Sequence, residues 1–243
     1  MMYKSSFIDL VNYAVLNSTE YYKNPEKTNC PNPFFVGFGN PNAKILVFGK
    51  EKAFDKENLK QLEYESIKNP HEWNSYIQNN ILINKNKFYD SKNYVNVFFP
   101  YLNKNKSGHT WSKYYNLLNN VFTSIPDNEN EFFNYAFFTE VNYIPSKYSS
   151  IKTFKNNERI EMLSHEFFKS FEVIILACGS YLRKEQIENI FNVNYCESIY
   201  KKRENIHIYK NSKQILINTR QLSMDVSNDL LIKVSELTKK NLK

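Results

Sequence analysis

Cysteine is scarce in this chain of 243 residues, and the three cysteines that occur are far apart. Cys30, Cys178 and Cys196 cannot supply a disulfide framework, a four-cysteine zinc site or an iron–sulfur cluster, because each of these needs more cysteines at closer spacing. This sparing use of cysteine is typical of a protein in a reducing compartment, and we expect a cytoplasmic protein.

Glycine is also rare, with five residues in the whole chain. The turn after the first buried strand reads GKEKAF, which has neither the glycine-rich dinucleotide fingerprint nor the lysine-hydroxyl end of a phosphate-binding loop. No nucleotide cofactor is therefore predicted. His71, His165 and His207 have no partners at the spacing of metal ligands, so no metal is predicted either.

Long apolar runs are missing as well. The opening segment FIDLVNYAVL is interrupted by Asp9 and Asn12, which argues against a signal peptide, and no apolar run approaches the length of a membrane span. We expect a soluble protein, a monomer, with no membrane partner.

The composition that is present favours one large domain with a basic surface. The chain is 42% hydrophobic and 16% aromatic, has no clear break, and is interpreted as one domain over residues 1–243. The formal net charge of +7 suits a polyanionic partner such as DNA. Scattered surface lysines give the same total, so charge alone leaves both interpretations open.

Hydrophobic periodicity predicts strands that alternate with helices, which is typical of an α/β/α sandwich with a mostly parallel central sheet. The predicted strands are Ile45 to Phe48, Val95 to Phe99, Tyr135 to Val141, Val173 to Ala177, Ile206 to Tyr209 and Ile215 to Ile217. The predicted helices include one around Phe7 to Val15, one from Thr110, and those over Glu158 to Phe171, Leu182 to Phe191 and Val226 to about Leu237.

Two segments far apart in the sequence each lead from a buried apolar strand into a polar turn and then into a helical pattern. They are KILVFGKEKAFD (Lys44 to Asp55) and QILINTRQLSMDVS (Gln214 to Ser227). Open α/β folds place their sites where the carboxyl ends of such strands meet, so we expect both turns at one edge of the sheet.

The first turn carries a carboxylate, Glu51, between Lys50 and Lys52. A carboxylate at the end of a buried strand can orient a water molecule or balance a developing positive charge. The alternative is that Glu51 caps the following turn or pairs with a neighbouring lysine.

The second turn places Leu222 between Arg220 and Ser223, where an exposed leucine is unusual for a simple connection. Such a leucine can act as a wedge that fills the gap left by an extruded base, while Arg220 and the following backbone amides hold phosphates. The alternative is a hydrophobic staple for the last helix.

Together the two turns resemble motifs of the uracil-DNA glycosylase superfamily. The first motif of that family is typically Gly-Gln-Asp-Pro-Tyr or Gly-x-Asn-Pro-Gly, and GKEKAF stands in its place with Glu51 at the acidic position. The second is typically His-Pro-Ser-Pro-Leu-Ser or Asn-Pro-Ser-Gly-Leu-Ser, and NTRQLS puts Asn218 first and Leu222 at the intercalating position. In TEVNYIP, Asn142 ends a core strand as the family's base-reading asparagine does.

The resemblance implies a uracil-DNA glycosylase-like fold and a monofunctional enzyme that flips a base out of DNA and hydrolyses its N-glycosidic bond. It gives catalytic roles to Glu51, Asn142 and Asn218, and a base-binding role to Asn142. A stacking ring is expected near the first motif, at Phe54. The residues predicted to contact DNA are Lys50, Lys52, Lys147, Arg220, Leu222 and Ser223.

The chain departs from the family motifs at the positions that clamp the leaving base. Lys52 and Thr219 replace prolines, and no histidine occupies the second motif. A weaker clamp favours a base that is labile or modified, so the expected substrates are uracil, a mismatched base or a phage-type modified pyrimidine such as a modified cytosine, the last implying antiviral defence. The alternatives are a noncatalytic nucleic-acid-binding module of the same fold and an unrelated hydrolase acting on free nucleosides.

Overall fold

The computed structural model describes residues 3–24, 30–52, 59–81, 109–123, 125, 131–146, 154–201, 204–223 and 226–242. Within these ranges the chain forms seven α-helices and seven β-strands. The helices are α1 (Ser5–Lys23), α2 (Leu59–Leu62), α3 (Asn69–Gln78), α4 (His109–Phe122), α5 (Asn157–Leu163), α6 (Lys184–Phe191) and α7 (Asn228–Asn241). The strands are β1 (Phe38–Gly39), β2 (Ile45–Gly49), β3 (Ala136–Glu140), β4 (Val173–Leu176), β5 (Asn194–Lys201), β6 (Glu204–Lys210) and β7 (Ile215–Thr219).

All seven strands join one mixed sheet in the order β1-β3-β2-β4-β7-β6-β5. The four central strands β3, β2, β4 and β7 are parallel, whereas β1, β6 and β5 pair antiparallel at the two sides. The predicted α/β class is confirmed, and the predicted parallel pairing is confirmed for the centre of the sheet. The chain passes from β2 to β3 on one side and then to β4 on the other, so the winding direction reverses between β2 and β4.

Helices cover both faces of this sheet. Successive residues of a strand point to opposite faces of the sheet, so the rings of Phe137 and Phe138 in β3 lie on different faces. The helices that contact each ring therefore show which helices cover each face. Phe7 of α1 and Trp73 of α3 contact Phe137, with ring centroids 5.8 and 6.1 Å away. Trp111 of α4 contacts Phe138 at 5.7 Å, and α7 packs against α4. The molecule therefore has three layers, α/β/α.

The central strands follow from their apolar sequences. Every residue of β2 and of β4 is buried, as expected for parallel strands covered on both faces. The predicted opening helix is confirmed too, because Phe7, Leu10 and Ala14 lie on one buried face of α1. No helix in the described ranges has both the length and the apolar character needed to cross a membrane.

The structure differs from the prediction at one helix and at one strand. The helix expected over Glu158 to Phe171 ends at Leu163, where the hydroxyl of Ser164 donates to the Ile160 carbonyl oxygen at 2.8 Å and the chain continues in turns. Strand β5 was not predicted, since its outer edge is exposed and its sequence has no buried apolar run. The predicted strand Val95 to Phe99 lies outside the described residues.

Candidate functional site

The candidate site lies where the winding of the sheet reverses, at the carboxyl ends of β2, β3 and β4. Glu51 follows β2 by two residues, Asn142 follows β3 by two residues, and Tyr181 comes from the turns after β4. Parallel pairing carries all three strand ends to one edge. The structure thus brings together Glu51, which the strand-end argument indicated, and Asn142, which the resemblance indicated.

Glu51 is the centre of a buried hydrogen-bond network. Only 8% of the residue is exposed, and its Oε2 atom accepts hydrogen bonds from the hydroxyl of Tyr181 and from Nδ2 of Asn142, the latter at 3.4 Å. Oδ1 of Asn142 accepts the backbone N–H of Ile144 at 3.1 Å. Both polar atoms of the Asn142 side chain are therefore already engaged, and this amide holds the carboxylate of Glu51 in place.

Backbone hydrogen bonds fix the two loops that carry this network. The N–H of Val141 donates to the carbonyl oxygen of Gly49 at 3.0 Å, and the N–H of Asn142 donates to that of Lys50 at 2.7 Å. The parallel pairing of β2 with β3 thus continues past both strand ends. As a result Glu51 and Asn142 face each other on rigid backbone, which is what a preorganised site requires.

Tyr181 is a site residue that the sequence analysis missed. It is buried, donates its hydroxyl hydrogen to Glu51, and carries Nζ of Lys50 over its ring at 5.0 Å from the centroid. The signal in the sequence is the segment ACGSY (Ala177 to Tyr181). It follows the buried strand β4 in the same way that GKEK follows the apolar run of β2. Strand-end reasoning applied to that strand would have identified this tyrosine.

Glu140, the last residue of β3, is the second site residue that the sequence analysis missed. Its Oε2 atom is buried and has no hydrogen-bond partner among the described residues. Burial raises the pKa of Glu140 to about 8, and the neighbouring Glu51 adds to this rise, while Lys52 and Arg159 oppose it. This rise favours the neutral carboxylic acid form of Glu140 at neutral pH.

Gly49 makes room for this acid. Gly49 and Glu140 are paired in register, and a Cβ atom at position 49 would lie 2.0 Å from Oε2 and 2.8 Å from Cδ of Glu140. No side chain fits there unless the carboxyl group moves away. The glycine at this position is what allows the carboxyl group to occupy this space.

Gly49→Ala is expected to displace the Glu140 carboxyl group and to lower the free energy of unfolding by about 1–3 kcal/mol, as overpacking does. Chemical denaturation measures this loss. In a Glu140→Ala background the same change should cost much less, because the clashing group is gone. An equal loss in both backgrounds would show that the backbone, and not the carboxyl group, rejects the added methyl.

The flanking lysines have different environments. Lys52 is turned inward: its Nζ donates to the backbone carbonyl oxygen of Glu65, lies 3.6 Å from Oε2 of Glu65, and sits 3.9 and 4.1 Å from the ring centroids of Phe35 and Phe38. Burial lowers the pKa of Lys52 to about 8, although Glu65 opposes this shift. Lys50 is partly exposed and is not among the cations whose ammonium groups contact Phe35 and Phe38; its Nζ lies over the ring of Tyr181 instead.

Asn218 lies at the same edge of the sheet, one strand beyond β4. It pairs in register with Leu176 near the end of β7, is buried, and its Oδ1 atom has no hydrogen-bond partner among the described residues. No described hydrogen bond joins it to Glu51 or Asn142. The structure thus places Asn218 close to the site along the sheet edge with a side-chain oxygen left unsatisfied.

The expected exposure of Leu222 is wrong. The residue is 0% exposed and belongs to the main hydrophobic core together with Val226 and Leu230. The chain turns at this leucine, where the Ser223 N–H donates to the Gln221 carbonyl oxygen at 3.0 Å, and the side chain packs into the core. The structure therefore favours the other interpretation, packing beneath the last helix, and a role in DNA would require the side chain to leave the core.

The structure describes only some of the other residues predicted to contact DNA or the base. Arg220 and Ser223 are partly exposed after β7. Phe54, the predicted stacking ring, and Lys147, a predicted phosphate contact, lie outside the described residues. No group of three or more histidine, cysteine, aspartate or glutamate side chains in the described ranges is arranged to hold a metal ion.

Comparison of the chain with protein-family models, with curated proteins and with solved structures finds no match.

Proposed function

We propose that the protein is a DNA glycosylase with a uracil-DNA glycosylase-like fold, which hydrolyses the N-glycosidic bond of a base flipped out of DNA. The observation that carries this proposal is the network of Glu51, Asn142 and Tyr181, which joins three strand ends at the point where the winding reverses. Sites of open α/β sheets lie at this point. The net charge of +7 is the sign that DNA phosphates attract.

The chemistry needs a negative charge beside the sugar. As the bond from C1′ to the base nitrogen breaks, positive charge develops on the sugar and the electron pair leaves with the base. The Glu51 carboxylate stabilises that positive charge and orients a water molecule, whose oxygen forms the new bond to C1′. The water proton passes to Glu51 or to the base, and the products are a free base and an abasic site.

The departing base needs hydrogen-bond donors, and the chain offers amides rather than a histidine. Asn218 lies at the same sheet edge, and Nδ2 of its side chain is proposed to donate to the base. Because an amide stabilises a departing anion less than a charged imidazolium does, the proposed substrates are bases that leave readily: uracil, a mismatched base, or a phage-type modified cytosine whose removal would serve antiviral defence.

An abasic-site assay tests the proposal. Duplexes with normal, uracil-containing, mismatched or phage-type modified bases are incubated with the protein and then cleaved with alkali. Strand breaks confined to one class of base are the expected result. Binding that weakens steeply as salt rises, with no breaks on any duplex, would instead support the noncatalytic nucleic-acid-binding alternative. Neither breaks nor binding would contradict both.

A further inference from the structure

The proposed hydrolysis does not use Glu140, although its surroundings are unusual. Its Oε2 atom is buried without a hydrogen-bond partner among the described residues, in a space that only a glycine at position 49 leaves open. The hydroxyl of Tyr114 on α4 is likewise buried and unpartnered within the same ranges. Buried polar atoms are nearly always hydrogen-bonded, and these two atoms are among the few exceptions in the described ranges, Asn218 Oδ1 being another.

Both groups lie on the same face of the sheet. Glu140 is two residues after Phe138 on β3, so its side chain is on the face that α4 covers, and the ring of Tyr114 packs on Phe138 with centroids 5.5 Å apart. The charge of Glu140 also contributes to the raised pKa of Tyr114, whose main cause is burial. The two unpartnered groups therefore belong to one polar region next to the Glu51 network.

A neutral carboxylic acid has a definite hydrogen-bonding pattern. One oxygen carries a hydrogen and donates, while the other accepts, and the two lie side by side. A cytosine-type base presents the complementary pair, because its ring N3 accepts and its exocyclic amino group at C4 donates. Glutamate is a known partner of that amino group. The Glu140 carboxyl group, whose Oε2 atom has no hydrogen-bond partner among the described residues, is suited in its neutral form to reading this edge.

We propose that Glu140 is a specificity-determining residue that pairs with N3 and the amino group of a cytosine-type base in the site, with the Tyr114 hydroxyl as a further donor to that base. This inference rests on the proposed glycosylase function. It narrows the substrates to bases that keep the hydrogen-bonding edge of cytosine, whatever group they carry at C5.

Two duplexes that differ only at this edge provide the test, one with 5-hydroxymethylcytosine and the other with 5-hydroxymethyluracil at the same position. Wild-type protein should bind the cytosine-type duplex at least tenfold more tightly, measured with 2′-fluoro nucleosides that resist cleavage, and should release that base preferentially. Glu140→Leu should lose the preference. Glu236→Gln, a change at an exposed position of α7, should keep the preference for the cytosine-type duplex. Equal treatment of the two duplexes by the wild type, including no binding of either, would overturn the assignment.

The binding measurement separates this inference from the proposed function. Selective binding without release of any base would contradict hydrolysis but support the role of Glu140. Release of both bases at equal rates would support hydrolysis and contradict the role of Glu140.

The pH dependence gives a readout that a merely structural role would not change. The groups coupled electrostatically to the Glu140 carboxyl group are Glu51 and Lys52 after β2, Glu65, Arg159 of α5, Tyr114 of α4, and Cys178 after β4. With its pKa raised to about 8, the neutral fraction of Glu140 falls about tenfold between pH 7 and pH 9, and the preference for the cytosine-type duplex should fall with it.

Glu140→Gln keeps one donor and one acceptor but does not ionise, so its preference should stay constant over this range. Lys52 titrates in the same range, because burial lowers its pKa to about 8. An equal decline in Glu140→Gln would therefore assign the effect to Lys52 and would overturn the proposal.

Discussion

Glu51→Gln is expected to lower the rate of base release by about 10³-fold, because it removes the negative charge that stabilises the developing positive charge on the sugar. The substitution keeps the size and shape of the side chain. One oxygen atom remains to accept the hydrogen bonds that Tyr181 and Asn142 donate to Glu51. Affinity for DNA should change less than threefold, since the interaction that is lost is made mainly in the transition state.

Single-turnover release followed by alkaline cleavage gives the rate, and fluorescence anisotropy with an uncleavable duplex gives the affinity. Tyr181→Phe is the matched variant, because it removes one hydrogen bond from Glu51 and leaves the carboxylate charge. It should slow release by about tenfold, far less than Glu51→Gln. Unchanged release in Glu51→Gln would show that another group supports the reaction, and the assignment of Glu51 would then be wrong.

The apolar strand before it placed Glu51 at a strand end, and the resemblance to the glycosylase motifs placed Asn142 at another. Both follow short apolar runs bounded by polar turns, and the carboxyl ends of neighbouring parallel strands must meet at one edge. The apolar runs also predicted β2, β3, β4 and β7, which form the parallel centre of the sheet. Local pattern and the parallel rule together account for this part of the fold.

The residues that surround Glu51 could not be predicted from the sequence. Their positions depend on the register between β2 and β3 and on how loops pack against the sheet, and neither can be read from the sequence. Glu140 is recognisable only after β3 pairs with β2 and places it against Gly49. Lys52 looks like a surface lysine in GKEKAF, but its ammonium group lies over the rings of Phe35, in the loop before β1, and Phe38, in β1.

Leu222 shows a further limit of sequence interpretation. Its polar neighbours Arg220 and Ser223 suggested an exposed loop, yet a single turn is enough to point one side chain of such a segment into the core. A leucine that inserts into DNA and a leucine that packs into the core can both have polar neighbours in the sequence. The backbone path decides which of the two roles the side chain has. Burial, and not composition, decides between them.

Arg159 links the site to the rest of the fold. It is 0% exposed, and burial lowers its pKa to about 9, which still leaves it charged at neutral pH. Its Nη1 atom donates to the carbonyl oxygens of Pro33, at 3.0 Å, and Phe35. Its Nη2 atom donates to the Thr139 hydroxyl at 3.1 Å and to the Glu140 carbonyl oxygen at 2.5 Å. One side chain thus joins α5, the end of β3 and the loop before β1.

Arg159→Met is expected to lower the free energy of unfolding by about 3–5 kcal/mol, because it leaves several buried carbonyl oxygens without donors. For a chain of this size, that loss corresponds to a fall in Tm of roughly 6–20 °C in thermal unfolding. Arg183→Met is the matched control, since this exposed arginine at the start of α6 should change stability by less than about 0.5 kcal/mol. If both variants unfold at the same temperature, the carbonyl oxygens have found other donors, and the cross-link through Arg159 does not hold the site in place.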